Sequence, residues 1–289
     1  MKRRYRVVDV FSDRALLGNP VAVVLDAQEL DSAAMQRIAR WTNLSETTFV
    51  LPPDVAGATH RVRIFTPASE LPFAGHPTLG TAHAVVAAGI VSDANLVQTA
   101  LVQQCGAGLV TIERSRSGYR LRLPPARSTL LDAATSEELA TALRMPVDLT
   151  VAARLIDVGP KWIVARIATN AALLAARPDF ARLAALERRL GATGVTVFAA
   201  RDDADVTDIE TRSFAPSQGV DEDPVCGSGN GAVAVFRREH GELTSGTRYI
   251  AAQGRCVGRD GRVEVELAAC DDIWIGGRCV STVVGEIDC

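Results

Sequence analysis

The 289-residue sequence is poor in aromatic side chains, at 5%, and holds only 4 histidines. Binding of unpaired nucleobases relies on aromatic stacking platforms, so this scarcity argues against a nucleic-acid partner. An excess of charge is missing too: 31 basic and 34 acidic residues leave a formal net charge of −3, scattered singly or in clusters as short as Lys2-Arg3-Arg4 and Asp202-Asp203. No basic stripe is present to track phosphates, and no polybasic helix to meet an anionic membrane surface. Long apolar runs are absent as well. The longest candidate, residues 82–91, is interrupted by His83 and Gly89, and a membrane-spanning helix needs about 20 apolar residues. Asp9 and Asp13 break what would have to be the apolar core of a signal peptide. The reading is of a cytoplasmic chain that starts inside its first strand. The 6 cysteines form no Cys-x-x-Cys pair, and no histidine lies at metal-ligand spacing from any of them. Free thiols in a reducing compartment are expected, and no metal.

What is present is a core and a repeat. Hydrophobic residues make up 47% of the chain and mean hydropathy is +0.12, enough for one large core or two medium ones. Val8-Asp9-Val10 returns as Ile156-Asp157-Val158, each followed by a turn and an apolar strand: Gly18-Asn19-Pro20 before Val21-Ala22-Val23-Val24, and Gly159-Pro160 before Trp162-Ile163-Val164-Ala165. Helical spacing of Met35, Ile38, Ala39 and Trp41 over 32–41, and of Leu183, Leu186 and Leu190 over 180–190, predicts a helix next in each half. Short strands end at Phe49-Val50-Leu51 and Val197-Phe198-Ala199. Then Arg63-Ile64-Phe65-Thr66-Pro67 matches Arg212-Ser213-Phe214-Ala215-Pro216, and Glu70-Leu71-Pro72-Phe73-Ala74-Gly75 matches Glu222-Asp223-Pro224-Val225-Cys226-Gly227. Small-residue helices follow over 77–88 and 229–238. Strands over 96–102, 108–113, 119–123, 247–252, 255–257 and 262–268 complete the halves as hairpins with glycine turns such as Arg259-Asp260-Gly261. The expectation is a duplicated α+β fold: an N-terminal lobe of 1–124, completed by a strand within 279–289, and a C-terminal lobe of 125–278, with a junction near Pro124-Pro125 and the active site in the cleft between them.

Function is sought where the halves differ. Aligning 44–49 with 193–198 puts Glu46 opposite Val195, so the repeat itself requires no carboxylate there. A glutamate at a strand mouth, partly desolvated, can serve as a base; the plainer alternative is a solvated loop side chain. His76 stands before Pro77, which suits the first helical position and makes His76 the expected N-cap; Ser228 holds the matching place. Simple capping competes here with acid–base or positioning chemistry. Asp223 replaces Leu71 of the first copy, although Asp-Pro is also a common turn dipeptide. Two glycine-led helix starts offer free N–H groups and positive dipole ends, which favour a bound carboxylate and stabilise negative charge formed when a C–H bond loses its proton.

Asp9-Val10-Phe11, Gly18-Asn19-Pro20-Val21-Ala22-Val23, Asn43-Leu44-Ser45-Glu46-Thr47, Phe73-Ala74-Gly75-His76-Pro77-Thr78-Leu79-Gly80 and Glu222-Asp223-Pro224-Val225-Cys226-Gly227-Ser228 together resemble the PhzF-like isomerase family of phenazine biosynthesis. The resemblance runs from about residue 5 to the C-terminus. It implies a diaminopimelate-epimerase-like fold of two pseudo-symmetric lobes, each a curled sheet around a central helix. It also implies Glu46 as the proton-transferring base, His76, Asp223 and Ser228 as catalytic and positioning partners, and Gly75 and Gly227 as backbone donors to the substrate. A small carboxylated substrate, no cofactor and a homodimer come with it. One departure stands out: epimerases and racemases of this fold use two opposed cysteines, and here the positions are Ala74 and Cys226. A racemase or epimerase that uses Cys226 as one base is the alternative, with Cys226 as a small buried side chain beside the turn as the simpler reading. A ligand-binding protein without turnover is the third.

Overall fold

Two kinds of strand pattern recur in this chain, and each has a physical cause. In residues 261–267 every second side chain is buried, the mark of a sheet with one covered face; in 19–24 and 194–200 nearly all are buried, because both faces are covered. The computed structural model describes residues 1–91, 100–148, 150–201 and 207–289. Those residues divide into two compact units, 1–121 with 276–289, and 122–275.

The first unit opens with β1 (Lys2–Val10) and β2 (Asn19–Val24), an antiparallel pair. Helix α1 (Ser32–Thr42) then carries the chain across to β3 (Glu46–Leu51), which lies parallel to β2. Such a parallel pairing demands a crossover. Asp31 caps α1 by accepting from the Ala34 N–H, and Asn43 ends it in the left-handed region at φ 54°. Met35, Ile38 and Ala39 face the core with Phe49 and Phe65, whose rings meet edge to face at 5.5 Å. Trp41, expected on that face, is instead 76% exposed; it sits in the final turn, past the stripe that Met35 and Ile38 define. β4 (His60–Phe65) pairs with β3, and the two-residue β5 (Glu70–Leu71) with β4. Helix α2 (Gly75–Ala87) follows, then β6 (Leu101–Cys105), β7 (Gly108–Arg114) and β8 (Tyr119–Arg122). The strand expected over 96–102 begins only at Leu101, and its positions 96–99 lie outside the described residues.

The second unit repeats this order after a preface, β9 (Arg127–Leu130) and α3 (Ala133–Leu143). β10 (Arg154–Asp157) and β11 (Lys161–Arg166) pair antiparallel; α4 (Asn170–Ala175) and α5 (Phe180–Leu190) cross to β12 (Gly194–Ala200), parallel to β11. β13 (Ile209–Ala215), β14 (Val220–Asp223), α6 (Gly227–Glu239), β15 (Arg248–Gln253), β16 (Gly261–Leu267) and β17 (Ile273–Gly277) complete it. The strand expected over 255–257 is a 3₁₀ turn, because Gly254 at φ 106° and Gly258 at φ 71° bend the chain at both ends. The last strand, β18 (Cys279–Asp288), returns to the first unit and pairs with all of β1.

Each unit wraps a sheet around one small-residue helix: α2 packs on β1, β2, β3 and β18, and α6 on β10, β11, β12 and β16. Close approach is what the glycines permit. A Cβ at Gly80 would lie 2.4 Å from Val21 Cγ1, and one at Gly231 2.4 Å from Leu123 Cδ1. Among the described residues, no helix is long and apolar enough to cross a membrane.

Candidate active site

In the first unit, α1 ends at Asn43 and the chain turns directly into β3, whose first residue is Glu46. Glu46 pairs with Val21 at the mouth of the parallel β2–β3 pair. Helix α2 begins beside it. Its N-cap is Ala74, extended at φ −151°, ψ 138°, so Gly75, His76 and Pro77 are its first three residues. His76 is therefore not the expected cap but the second helical residue. Pro77 costs nothing at the third, since the first turn's N–H groups have no intrahelical partner. Alanine carries no capping atom, which leaves the leading N–H groups of α2 without a side-chain cap. A Cβ at Gly75 would meet no described heavy atom within 4 Å, so packing does not demand glycine there.

This geometry brings Glu46 Oε2 to 3.4 Å from His76 Nε2, with side chains 17% and 9% exposed. Burial pushes the Glu46 carboxyl from its ordinary 4.5 up to about 7, against a hydrogen bond with the Ser45 side chain that favours the charged form. A carboxyl poised there exchanges a proton readily at neutral pH.

In the second unit the helix start is built differently. Cys226, extended at φ −99°, ψ 109°, is the N-cap of α6, and its sulfur accepts from the Gly229 N–H at 3.3 Å. Ser228 is thus the second helical residue rather than the expected cap, the same position as His76. Ser228 Oγ lies 3.6 Å from Cys226 Sγ and accepts a hydrogen bond from Trp162 Nε1 at 3.1 Å. Asp223 ends β14; its Oδ1 accepts from the Val225 N–H at 3.0 Å, shaping the turn into the helix. Burial first, and then the Asp223 carboxylate, push the Cys226 thiol well above its ordinary value. Cys226 is a buried, protonated thiol that caps a helix. Gly227 is the first residue of that helix, and Gly229 admits no side chain, since a Cβ would lie 2.5 Å from Thr196 Oγ1 and 2.8 Å from Ser213 Oγ.

Three residues not singled out from sequence hold this turn. Gln253 Oε1 accepts from the Cys226 N–H at 3.1 Å and from Asn230 Nδ2 at 2.9 Å, while its Nε2 donates to the Asp223 carbonyl at 3.0 Å. Trp162 holds Ser228. The repeat itself carried a signal for Gln253 and Asn230. In the first unit Gln103 Nε2 donates to Thr78 Oγ1 at 2.9 Å, and Thr78, like Asn230, is the fourth residue of its helix.

Strand register also corrects one correspondence. Thr47 pairs with Phe65, and Val195 with Phe214, its equivalent. The counterpart of Glu46 is therefore Gly194, one residue before the expected Val195. Among the described residues, no three His, Cys, Asp or Glu side chains gather as metal ligands would.

Two units, each a sheet curled around a helix whose start is rich in glycine, define a protein of the diaminopimelate-epimerase-like class. The chain belongs to the phenazine biosynthesis-like protein family, whose model matches residues 8–285. It is 36% identical to trans-2,3-dihydro-3-hydroxyanthranilate isomerase of Pseudomonas chlororaphis, over 88% of this chain and 87% of that protein. It is 36% identical to antisense-enhancing sequence 1 of Schizosaccharomyces pombe, over 98% and 97%. In structure it resembles a Bacillus anthracis phenazine biosynthesis protein of the PhzF family, with a TM-score of 0.88, 22% identity and 100% of both chains covered.

Proposed function

We propose that this chain is a cofactor-independent isomerase that moves a proton between two carbons of a small carboxylated substrate, with Glu46 as the base. One observation carries the reading: a carboxyl held near 7 by burial, 3.4 Å from His76, beside a helix whose cap residue, Ala74, has no capping side chain. The ionised Glu46 takes the proton, and the C–H electron pair moves into the conjugated system next to the substrate carboxylate. Glu46, whose carboxyl proton exchanges with water, then delivers a proton to a second carbon, so the double bond shifts and atoms and charge balance. His76 holds the carboxyl in place and shares its proton. The N–H groups led by Gly75 and Gly227 receive the substrate's negative charge, with Asp223 and Ser228 as further partners. The homodimer that the resemblance implies and the cytoplasmic location expected from the sequence belong to this reading too.

The test is proton NMR in D₂O against carboxylated cyclic dienes, amino acids and hydroxy acids. Wild type exchanges one C–H for deuterium; Glu46→Gln slows this by roughly 10²–10⁴-fold, the usual worth of a general base. Exchange that persists in Glu46→Gln removes Glu46 from the mechanism. The epimerase alternative needs a reactive thiolate, and the raised, buried Cys226 thiol argues against one. Iodoacetamide is expected to leave exchange intact. Inactivation prevented by substrate would favour the epimerase instead.

A further inference from the structure

The corrected register exposes an exchange between the two units. Glu46 stands across from Val21, and its counterpart Gly194 across from Trp162. A Cβ at Gly194 would lie 2.6 Å from Trp162 Cζ3 and 2.3 Å from the Phe214 carbonyl oxygen. The indole thus takes the space beside the strand mouth that a side chain at 194 would need. From there Trp162, 3% exposed, donates through Nε1 to Ser228 Oγ at 3.1 Å. In the first unit the strand mouth delivers a carboxylate to the second residue of the helix. In the second it delivers an N–H.

We propose that Trp162 is a positioning residue that turns Ser228 into a hydrogen-bond donor toward the substrate carboxylate. A serine hydroxyl has one proton and two lone pairs, whereas an indole N–H can only donate. With one lone pair engaged by Trp162, the Ser228 proton must go to another acceptor. Cys226 Sγ, at 3.6 Å, is within reach as an acceptor and is a weak one. A carboxylate oxygen is a far better partner, so it captures the proton on binding. Gly194 and Trp162 act as a pair: the missing side chain makes room for the ring. The inference rests on the reading that the substrate is a small carboxylate, and it adds a residue that the reading does not need.

The test uses anthranilate, the flat aromatic relative of the dihydro-hydroxyanthranilate named for the Pseudomonas chlororaphis enzyme. In nitrogen-15 spectra the chain's 3 tryptophans give separate indole signals, and Trp162→Phe identifies that of Trp162. Ser228→Ala is expected to move this signal and leave those of Trp41 and Trp274 in place. Anthranilate is expected to move it in wild type but not in Ser228→Ala. Trp162→Phe should weaken anthranilate binding by roughly two- to tenfold, the worth of one neutral hydrogen bond. Added to Ser228→Ala, it should weaken binding no further. Benzothienylalanine at position 162, which replaces the N–H by sulfur at nearly constant volume, serves as the second variant should phenylalanine disturb folding. Wild-type affinity in both variants, additive losses with Ser228→Ala, or no anthranilate binding to wild type would overturn the proposal. Deuterium exchange in Glu46→Gln reports separately on the base, so the two readings fail independently.

Discussion

At the residue scale, Glu46 ties stability to the proposed chemistry. Burial raises its folded-state value to about 7 from 4.5, so between those values the folded chain holds a proton that the unfolded chain has released. Stability therefore falls as pH rises through this window, and the loss is complete above about 7. It amounts to about 3 kcal/mol at full effect. Glutamine carries no such penalty. Glu46→Gln is expected to gain stability over wild type at pH 8 and little at pH 4.5, checked by urea denaturation at both. An equal difference at the two pH values would show that the carboxyl is not strained by burial. Glu46 was legible as a candidate because only one half of the repeat carries it; its protonation was not, since that depends on Val21, Ser45 and His76 closing around it.

At the element scale, the two central helices depend on contacts that only glycine allows. Gly80→Val drives a side chain into Val21 and Val10, and overpacking of this kind costs about 1–3 kcal/mol. Because α2 also carries His76, the same substitution should move the helix start and slow exchange. A drop in melting temperature with the drop in exchange checks it, and unchanged values for both would mean that α2 tolerates displacement. The existence and order of these helices were readable from small-residue runs after Gly75 and Gly227. Their first residues were not. His-Pro and Gly-Ser look like caps followed by helix, yet Ala74 and Cys226 take the extended backbone of the cap, and the cap of α6 is a sulfur. The counterpart of Glu46 moved from Val195 to Gly194 because sequence identity favours matching Thr47 with Thr196 and Phe49 with Phe198, and only strand pairing reveals the one-residue shift.

At the scale of the whole molecule, duplication explains more than the strands. Thr78 with Gln103 in one unit, and Asn230 with Gln253 in the other, are buried pairs that join the central helix to a neighbouring strand. His60, paired with Gln103 across the strands, is pushed down to about 4 by burial, leaving it neutral. The repeat was visible in sequence because the blocks around Val8, Phe65 and Gly75 return around Ile156, Phe214 and Gly227 at nearly constant spacing; the networks were not, because polar residues far apart in sequence meet only after the sheet curls. β18 comes from the far end of the chain and covers β1 along all 9 of its residues. Removing residues 279–289 is expected to expose β1 amides to rapid hydrogen exchange while amides of α6, in the contiguous second unit, stay protected. Continued protection of β1 would show that the first unit does not need its last strand.

The central claim is that Glu46 stands ready to give and take a proton near neutral pH, and the carbon-13 signal of its side-chain carboxyl tests this without any substrate. With glutamate labelled and the signal identified by its loss in Glu46→Gln, titration should show a midpoint near 7. A midpoint at the ordinary 4.5 would contradict the account and leave Glu46 as a solvated strand-end carboxylate.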